Sequence, residues 1–312
     1  MIDRSADRPL VTFALFAYNQ EEYIREAVEG AFNQTYEPLE IILSDDFSSD
    51  RTFEIIEEMV STYKGPHKIR VNQTRENSGL ANHINQVSML CSGTYVVFAA
   101  GDDISIPSRV EKIVSVFELK PSVCSVFSDF QLYPPTNATS ISEFNVQQVS
   151  ANEIFYGGGG VGAGATYAYK AEVLRWPTVL PPNCVSEDRI FPARAVVLGE
   201  VLKICEDLIV YRVHEESLHA RLKREKRLAR EDKQHRLEIF SFLDGMEQLN
   251  RLGVFRLRKY KLLFWIGSFL QHCRRSRVKF FGVIFRVLGR KVDNLFLRFF
   301  SSNRSKWSEV EK

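Results

Sequence analysis

Two pairs of adjacent carboxylates, Asp45-Asp46 and Asp102-Asp103, are the side chains best suited to chemistry in this sequence. Each pair follows a short apolar run that is typical of a buried strand, over residues 39–43 and 95–100. Adjacent like charges favour a shared proton or a bound cation, and carboxylate oxygens satisfy a hard divalent ion. The alternative for either pair alone is a turn or a helix cap.

A third acidic pair, Glu187-Asp188, precedes a predicted helix over residues 189–198. A carboxylate held at such a position can remove a proton from a reacting hydroxyl, and the alternative is a capping or salt-bridge role in the first turn. His214 lies beside Arg212 and two glutamates. It is therefore either a ligand or a solvated surface group.

A glycine-rich tract spans residues 157–164. No Lys-Ser or Lys-Thr follows it, which excludes a P-loop. Glycine permits close backbone approach, so the tract is either a loop beside a substrate or a plain flexible linker.

The elements that must position these groups alternate between apolar strands and segments of helical period, which predicts an α/β fold with a doubly wound, mostly parallel sheet. Ligands of such sheets bind beyond the carboxyl ends of the strands, where the acidic pairs lie. The predicted strands cover residues 10–16, 39–43, 69–71, 95–100, 123–127 and 208–213. The predicted helices cover residues 24–32, 52–60, 80–90, 107–117 and 189–198, and residues 132–150 are predicted to form a surface loop.

Four segments resemble, in order and spacing, the large inverting family of GT-A fold glycosyltransferases, of the bacterial glycosyltransferase family 2 type. They are residues 11–19 (VTFALFAYN), 31–36 (AFNQTY), 39–50 (LEIILSDDFSSD) and 93–103, which ends in Gly-Asp-Asp. The resemblance covers about the first 130 residues. Gly101 departs from the family pattern, in which an acidic residue or Leu often precedes the pair.

The resemblance implies a nucleotide-binding role for five residues at the strand ends, with Asp46 accepting a hydrogen bond from the base and Asp102 near the ribose and the metal. These are Ala17, Tyr18, Asn19, Asp46 and Asp102.

The resemblance also implies the catalytic groups. Asp103 would ligate the Mn²⁺ or Mg²⁺ ion that holds the donor diphosphate, and His214 would join that metal site. Asp188 would be the catalytic base, and Glu187 would orient the acceptor.

The implied activity is transfer of a sugar from a nucleoside-diphosphate sugar, a UDP-sugar by expectation, to a cell-surface glycan or a lipid-linked acceptor. A GT-A catalytic domain would span residues 1–220, with a nucleotide-sugar-binding half over 1–130 and an acceptor-side half over 131–220. The alternatives are a non-catalytic nucleotide-sugar-binding or scaffold protein with this fold and, less favoured, a sugar nucleotidyltransferase. The latter should carry a basic Gly-rich loop where Tyr18-Asn19-Gln20 stands.

The net charge of +2 conceals a basic C-terminal region. Residues 221–312 hold 24 Lys+Arg and 9 Asp+Glu, a net of +15, which leaves −13 for residues 1–220. Arg and Lys alternate there with bulky apolar residues, which favours basic amphipathic helices at an anionic membrane surface. The alternatives are helices packed on the catalytic domain and, less favoured, a nucleic-acid patch.

The remaining expectations concern location. Five widely spaced cysteines indicate a reducing compartment. The charged N-terminus is not typical of a signal peptide, and no apolar run reaches the length of about 18–20 residues that spans a bilayer. We therefore expect a cytoplasmic protein that associates peripherally with the inner face of the cell membrane and binds no nucleic acid.

Overall fold

The computed structural model describes residues 8–135, 145–156, 162–182, 184, 187–215 and 217. The strands are β1 (Val11–Ala17), β2 (Leu39–Asp45), β3 (Lys68–Gln73), β4 (Tyr95–Ala100), β5 (Ile104–Ser105), β6 (Val123–Leu132), β7 (Val146–Val149), β8 (Tyr167–Lys170) and β9 (Glu200–Tyr211). The helices are α1 (Ile24–Phe32), α2 (Thr52–Thr62), α3 (Leu80–Ser88), α4 (Arg109–Leu119), α5 (Ala151–Tyr156), α6 (Ala171–Leu174) and α7 (Glu187–Leu198). A short 3₁₀ helix covers Gly164–Thr166.

These strands form one mixed, mostly parallel sheet in the order β3-β2-β1-β4-β8-β6-β9-β5, with β7 paired to β9. Strands β1 to β4 are parallel to one another, and β6 is parallel to β9. Strand β8 is antiparallel to both β4 and β6. The sheet confirms the predicted α/β fold class.

Helices cover both faces of the sheet, as expected for strands that are apolar on both sides. Phe13 and Leu15 of β1 share one core cluster with the buried residues of α1, α2 and α4. Ala14 of the same strand points to a second cluster, which contains the buried residues of α3 and α7. β1 is therefore a central strand, and its carboxyl end opens between two helical layers.

The structure corrects several predicted boundaries. Strands β5 and β8 were not predicted, because each is only two to four residues long. The segment 132–150, predicted as loop, contains β7, although its residues 136–144 lie outside the described part. Strand β9 begins at Glu200 and not at residue 208, because the polar run Cys205-Glu206-Asp207 interrupts its apolar pattern.

The predicted basic helical region, residues 221–312, lies outside the described residues. Among the residues that are described, none of the helices has both the length and the apolar character required to span a bilayer.

Candidate active site

Three neighbouring strands end together at one edge of the sheet. Ala17 pairs with Asp45, and Phe16 pairs with Ala100. The amide of Asp46 donates a hydrogen bond to the Ala17 carbonyl (2.9 Å). The structure thus brings the ends of β1, β2 and β4, and the predicted site residues on them, to one edge.

The Asp46 carboxylate is buried and lies at the N-terminal end of α3. Its Oδ1 accepts hydrogen bonds from Thr74 Oγ1 (3.0 Å), the Ser78 amide (3.0 Å) and Ser78 Oγ (2.9 Å). Its Oδ2 accepts one from the Gly79 amide (2.9 Å). A carboxylate oxygen has two lone pairs, so Oδ2 retains the capacity to accept from a ligand. Sequence reasoning identified Asp46 but missed the segment that holds it.

The turn after β2 is pinned to the end of β1 by Asn19. The Asn19 side chain Oδ1 accepts from the Ser49 amide (2.8 Å), and the Asn19 backbone amide donates to Ser48 Oγ (2.8 Å). Both Asn19 (φ 51°) and Phe47 (φ 60°) occupy the left-handed region, and Phe47 is half-exposed. The Tyr18 amide donates to Gln20 Oε1 (3.3 Å).

Asp45 stabilises this turn through hydrogen bonds to its carboxylate. Its carboxylate is fully buried and accepts from the Ser48 amide (2.9 Å), Ser48 Oγ and Gln73 Nε2 (3.0 Å). The two residues of the first acidic pair therefore have different roles, because Asp45 closes the turn while Asp46 lies at the start of α3.

Asp102 meets His214, which lies 112 residues later in the chain. His214 Nε2 and Asp102 Oδ2 are 3.0 Å apart, and both side chains are about 15% exposed (14% and 15%). The His214 ring packs on Tyr23 at a centroid distance of 4.5 Å. The structure thus joins the second acidic pair to the predicted histidine.

Asp103 is more deeply buried than its neighbour, at 6% exposure. Its Oδ1 accepts a hydrogen bond from the Arg212 amide (3.0 Å). Burial, and secondarily the negative charge of Asp102, raise the pKa of Asp103 to about 7.

Arg212 links the acidic pair to α1. Its Nη1 donates to the Asp102 carbonyl (3.0 Å), and its Nη2 forms an ion pair with Glu26 (2.7 Å). The Tyr133 ring lies 4.5 Å from its guanidinium carbon. The segment after β9 is therefore fixed to α1 and to the end of β4, a role that sequence reasoning did not assign to Arg212.

The donor set fits a divalent cation that is completed by substrate. Within the described residues, no three His, Cys, Asp or Glu side chains assemble into a metal cage. Asp102 and His214 nonetheless offer an oxygen and a nitrogen 3.0 Å apart beside a second carboxylate. Mg²⁺ is commonly held in this way, by one or two carboxylates together with substrate phosphates.

Glu187 and Asp188 form the first turn of α7, which packs against Gly164. A Cβ atom on Gly164 would lie 2.1 Å from Glu187 Oε1, so only glycine leaves room for this carboxylate in its present position. Gly164, in the described part of the glycine-rich tract, thus lies against a predicted site residue.

Tyr211 lies between the two acidic regions. Burial is the main cause that raises its pKa to about 12, and the nearby charges of Asp103, Asp102 and Asp188 add to this. The pair at the end of β4 and the predicted base on α7 therefore both raise the pKa of this side chain.

A buried arginine that sequence reasoning missed, Arg109, joins the two halves. Its guanidinium is fully buried and donates to the carbonyls of Phe98 (2.8 Å) and Ala165 (2.6 Å) and to Ser105 Oγ (2.9 Å). Burial lowers its pKa to about 9. Arg109 therefore ties β4 to the 3₁₀ helix that contacts Glu187.

A second missed residue, His83, lies beneath the end of β2. It is buried, its Nε2 is 2.6 Å from Ser44 Oγ, and the Phe16 ring packs edge-on against it. Burial lowers the pKa of His83, although Asp46 and Asp45 oppose this effect.

Comparisons with known proteins identify the family through one model and two relatives that are named glycosyltransferases. The model of glycosyl transferase family 2 matches residues 12–174, more than half of the chain. An uncharacterized glycosyltransferase of Haemophilus influenzae is 37% identical over 125 residues, which are 40% of this chain and 38% of the relative. The putative glycosyltransferase EpsE of Bacillus subtilis is 34% identical over 110 residues, 35% of this chain and 39% of the relative. The matches thus span less than two-fifths of these relatives.

Solved structures share the fold at low sequence identity. The S. aureus TarS fragment 1–349, in complex with UDP, superposes with a TM-score of 0.58 at 16% identity, over 92% of this chain and 77% of that one. The mannosyltransferase PcManGT from Pyrobaculum calidifontis, in complex with GDP-Man and Mn²⁺, gives a TM-score of 0.53 at 16% identity, over 86% and 88%. With the family match over β1 to α6 and this GT-A fold, the chain belongs to glycosyl transferase family 2.

Proposed function

We propose that this chain transfers a sugar from a nucleoside-diphosphate sugar to a cell-surface glycan or a lipid-linked acceptor, with inversion at the anomeric carbon. The observation that carries the proposal is the placement of the Asp46 carboxylate and the Asp102–His214 pair at the ends of neighbouring strands of the sheet. Asp188 on α7 lies near enough for its charge, with those of Asp103 and Asp102, to raise the pKa of Tyr211.

The donor nucleotide binds along the ends of β1 and β2. Asp46 Oδ2 accepts a hydrogen bond from an N–H of the base, since its other oxygen is fully used by Thr74 and Ser78. Ala17, Tyr18 and Asn19 line the same end of β1. A uracil N–H suits this acceptor, and the proposal therefore favours a UDP-sugar. The TarS complexes with UDP and UDP-GlcNAc, which share the fold, support this choice.

Asp102, Asp103 and His214 hold the diphosphate end of the donor. A bound Mn²⁺ or Mg²⁺ would neutralise the charge that develops on the leaving diphosphate. Asp102 and His214 supply two donors 3.0 Å apart, and Arg212 keeps Asp103 oriented through its amide. The fold neighbour PcManGT was solved with GDP-Man and Mn²⁺, which supports a cation at this edge.

Asp188 removes the acceptor proton. The acceptor oxygen then bonds to the anomeric carbon as the bond from that carbon to the diphosphate oxygen breaks, which inverts the configuration. A positioned carboxylate contributes roughly 10²- to 10⁴-fold in this role. Glu187, held against Gly164, orients the acceptor or Asp188 itself.

Turnover of the Asp188→Asn variant tests this assignment. We expect donor binding to persist while turnover falls at least about 10²-fold, as for the loss of a general base. Unchanged turnover would remove Asp188 from the role. The Asp103→Ala variant should lose the dependence of donor binding on Mn²⁺ or Mg²⁺, which titration with and without the cation measures.

The competing function is nucleotide-sugar binding without transfer, as in a scaffold protein. A panel of nucleotide sugars, screened for thermal stabilisation with Mn²⁺, identifies the donor under either function because ligand binding stabilises the native state. Release of nucleoside diphosphate in the presence of acceptors then separates the two functions.

We also propose a cytoplasmic location at the inner face of the membrane, through the net charge of +15 in residues 221–312. Co-sedimentation with anionic liposomes should fall sharply when these residues are removed, whereas equal partitioning would refute the contribution of the tail.

A further inference from the structure

An apolar surface lies at the end of β6 and β9, outside the candidate active site. It consists of exposed residues of β6 and of the segments that follow β6 and β9, and we call it the end surface: Phe130, Leu132, Tyr133 and Val213. The strands run parallel here, with Leu132 paired to Tyr211. The Phe130 ring contacts the Tyr211 ring at a centroid distance of 4.9 Å, and the Tyr133 amide donates to the Tyr211 carbonyl (2.9 Å). These residues are therefore neighbours around Tyr211.

The end surface is unusual because its apolar side chains are clustered and solvent-exposed. Leu132 is 57% exposed, Tyr133 49% and Val213 74%. The four other large apolar residues with high exposure in the described part stand on separate elements: Phe47 after β2, Met89 after α3, Leu119 at the end of α4 and Val179 before α7. Scattered apolar residues need no explanation, but a cluster on one surface marks an interaction site.

The end surface adjoins the acidic pair through a single residue. Arg212 stands between Tyr211 and Val213, its ring neighbour is Tyr133, and its amide donates to Asp103. Whatever binds the end surface therefore lies next to the mouth of the candidate active site.

Charge in the adjoining sequence identifies the occupant. The chain continues from Val213 into residues 221–230, which contain six Lys+Arg and one acidic residue. Apolar side chains with a tyrosine on this surface, and a concentrated positive charge in the sequence that follows, match the chemistry of an anionic lipid surface, since interfacial binding combines apolar insertion with attraction to anionic headgroups. Ninety-five residues follow residue 217 and carry most of the positive charge of the chain.

We propose that the end surface docks on an anionic lipid bilayer, with Leu132 and Val213 inserted at the level of the headgroups. Docking turns the edge that carries Asp102 and His214 towards the lipid surface, where the hydroxyl of a lipid-linked acceptor is presented. The end surface is defined by its own exposure, its lipid occupant is inferred from the same positive charge of residues 221–312 as the proposed membrane location, and the choice of acceptor rests on the proposed function.

Vesicle binding by matched variants of the full chain tests the proposal. The test variant combines Leu132→Ser with Val213→Ser, and the control combines Leu119→Ser with Val179→Ser, which removes the same side chains from exposed positions elsewhere (79% and 68%). Partitioning is measured on vesicles of phosphatidylcholine alone and of phosphatidylcholine with phosphatidylglycerol. Thermal unfolding and donor binding are recorded on the same samples.

We expect the test variant to partition at least about tenfold more weakly than the wild type on vesicles with phosphatidylglycerol, as follows from the loss of two inserted apolar side chains. The control should partition as the wild type does. Equal partitioning of the test variant and the wild type, or an equal loss in the control, would overturn the proposal. So would a change of oligomeric state in the test variant without lipid, since the surface would then bind a second copy. If the test variant no longer binds vesicles but still binds the donor, the proposed function is unaffected. If neither the wild type nor the variants bind any donor, the proposed function is refuted and the docking surface is not.

Discussion

Replacement of Gly164 by alanine should displace the Glu187 carboxylate without destabilising the fold. The new Cβ would lie 2.1 Å from Glu187 Oε1, more than 1 Å closer than an ordinary contact. The clash involves the far end of a flexible side chain, so the carboxylate moves and the backbone stays. Gly164 has no left-handed φ, and alanine therefore fits its backbone.

Two opposite effects follow. Alanine lowers the entropy of the unfolded chain, which stabilises by about 0.4–1 kcal/mol at a compatible site and offsets the rearrangement of Glu187. Turnover should nevertheless fall by up to about 10²-fold, because a displacement of about 1 Å in a positioning group costs that much. Affinity for the donor should not change, since the nucleotide contacts lie on β1 and β2.

Steady-state kinetics measure turnover, donor titration measures affinity for the donor, and urea unfolding measures the free energy of unfolding. Gly65→Ala is the control, because its Cβ would also clash with a single side chain away from the site, Tyr63, whose Oη and ring carbons would lie 2.3–2.7 Å from it. Turnover of Gly164→Ala equal to that of the control would refute the orienting role of Glu187. A loss of donor affinity in parallel with stability would instead indicate general distortion.

Three further predictions concern the residues that support the site. Phe47→Asn should raise the free energy of unfolding by about 1 kcal/mol in urea unfolding, because Asn tolerates the left-handed φ of 60° better than Phe does; a decrease would mean that the ring makes stabilising contacts. The pKa of His83 is lowered in the folded state, so the unfolded chain takes up this proton first, and wild-type stability should fall as the pH drops below about 6.5. The free energy of unfolding of His83→Gln, measured above and below this pH, should depend less on pH than that of the wild type. An unchanged dependence would mean that other groups cause it. Arg212→Met should cost about 1–3 kcal/mol by thermal or urea unfolding, because it leaves the Asp102 carbonyl without its donor and Glu26 without its partner, and an unchanged stability would contradict the linking role.

The sequence predicted the elements with strong periodicity. Strands β1, β2 and β4 are buried apolar runs, and α1, α2 and α4 present apolar residues at helical spacing. These elements were therefore predicted, and their bounds lie within a few residues of the predicted ones. Asp46 and Asp102 were placed at one edge because the carboxyl ends of parallel strands meet there.

The remaining contacts depend on long-range pairing, which no local pattern encodes. His214 meets Asp102 across 112 residues, and Arg109 reaches Ala165 across 56. The short strands β5 and β8 are stabilised by their neighbours and not by their own propensity. Ser78 and Gly79 hold Asp46 largely through backbone amides, and their residue types alone do not predict that partner.

Calorimetric titration of UDP-sugars into the full chain, with Mn²⁺ and with a chelator, tests the central claim most directly. The wild type should bind a UDP-sugar with Mn²⁺, and binding should weaken at least about tenfold with the chelator or in an Asp102→Asn variant, as expected when a metal ligand or its support is lost. Failure of every nucleotide sugar to bind, or equal affinity in the wild type and the Asp102→Asn variant, would contradict the claim.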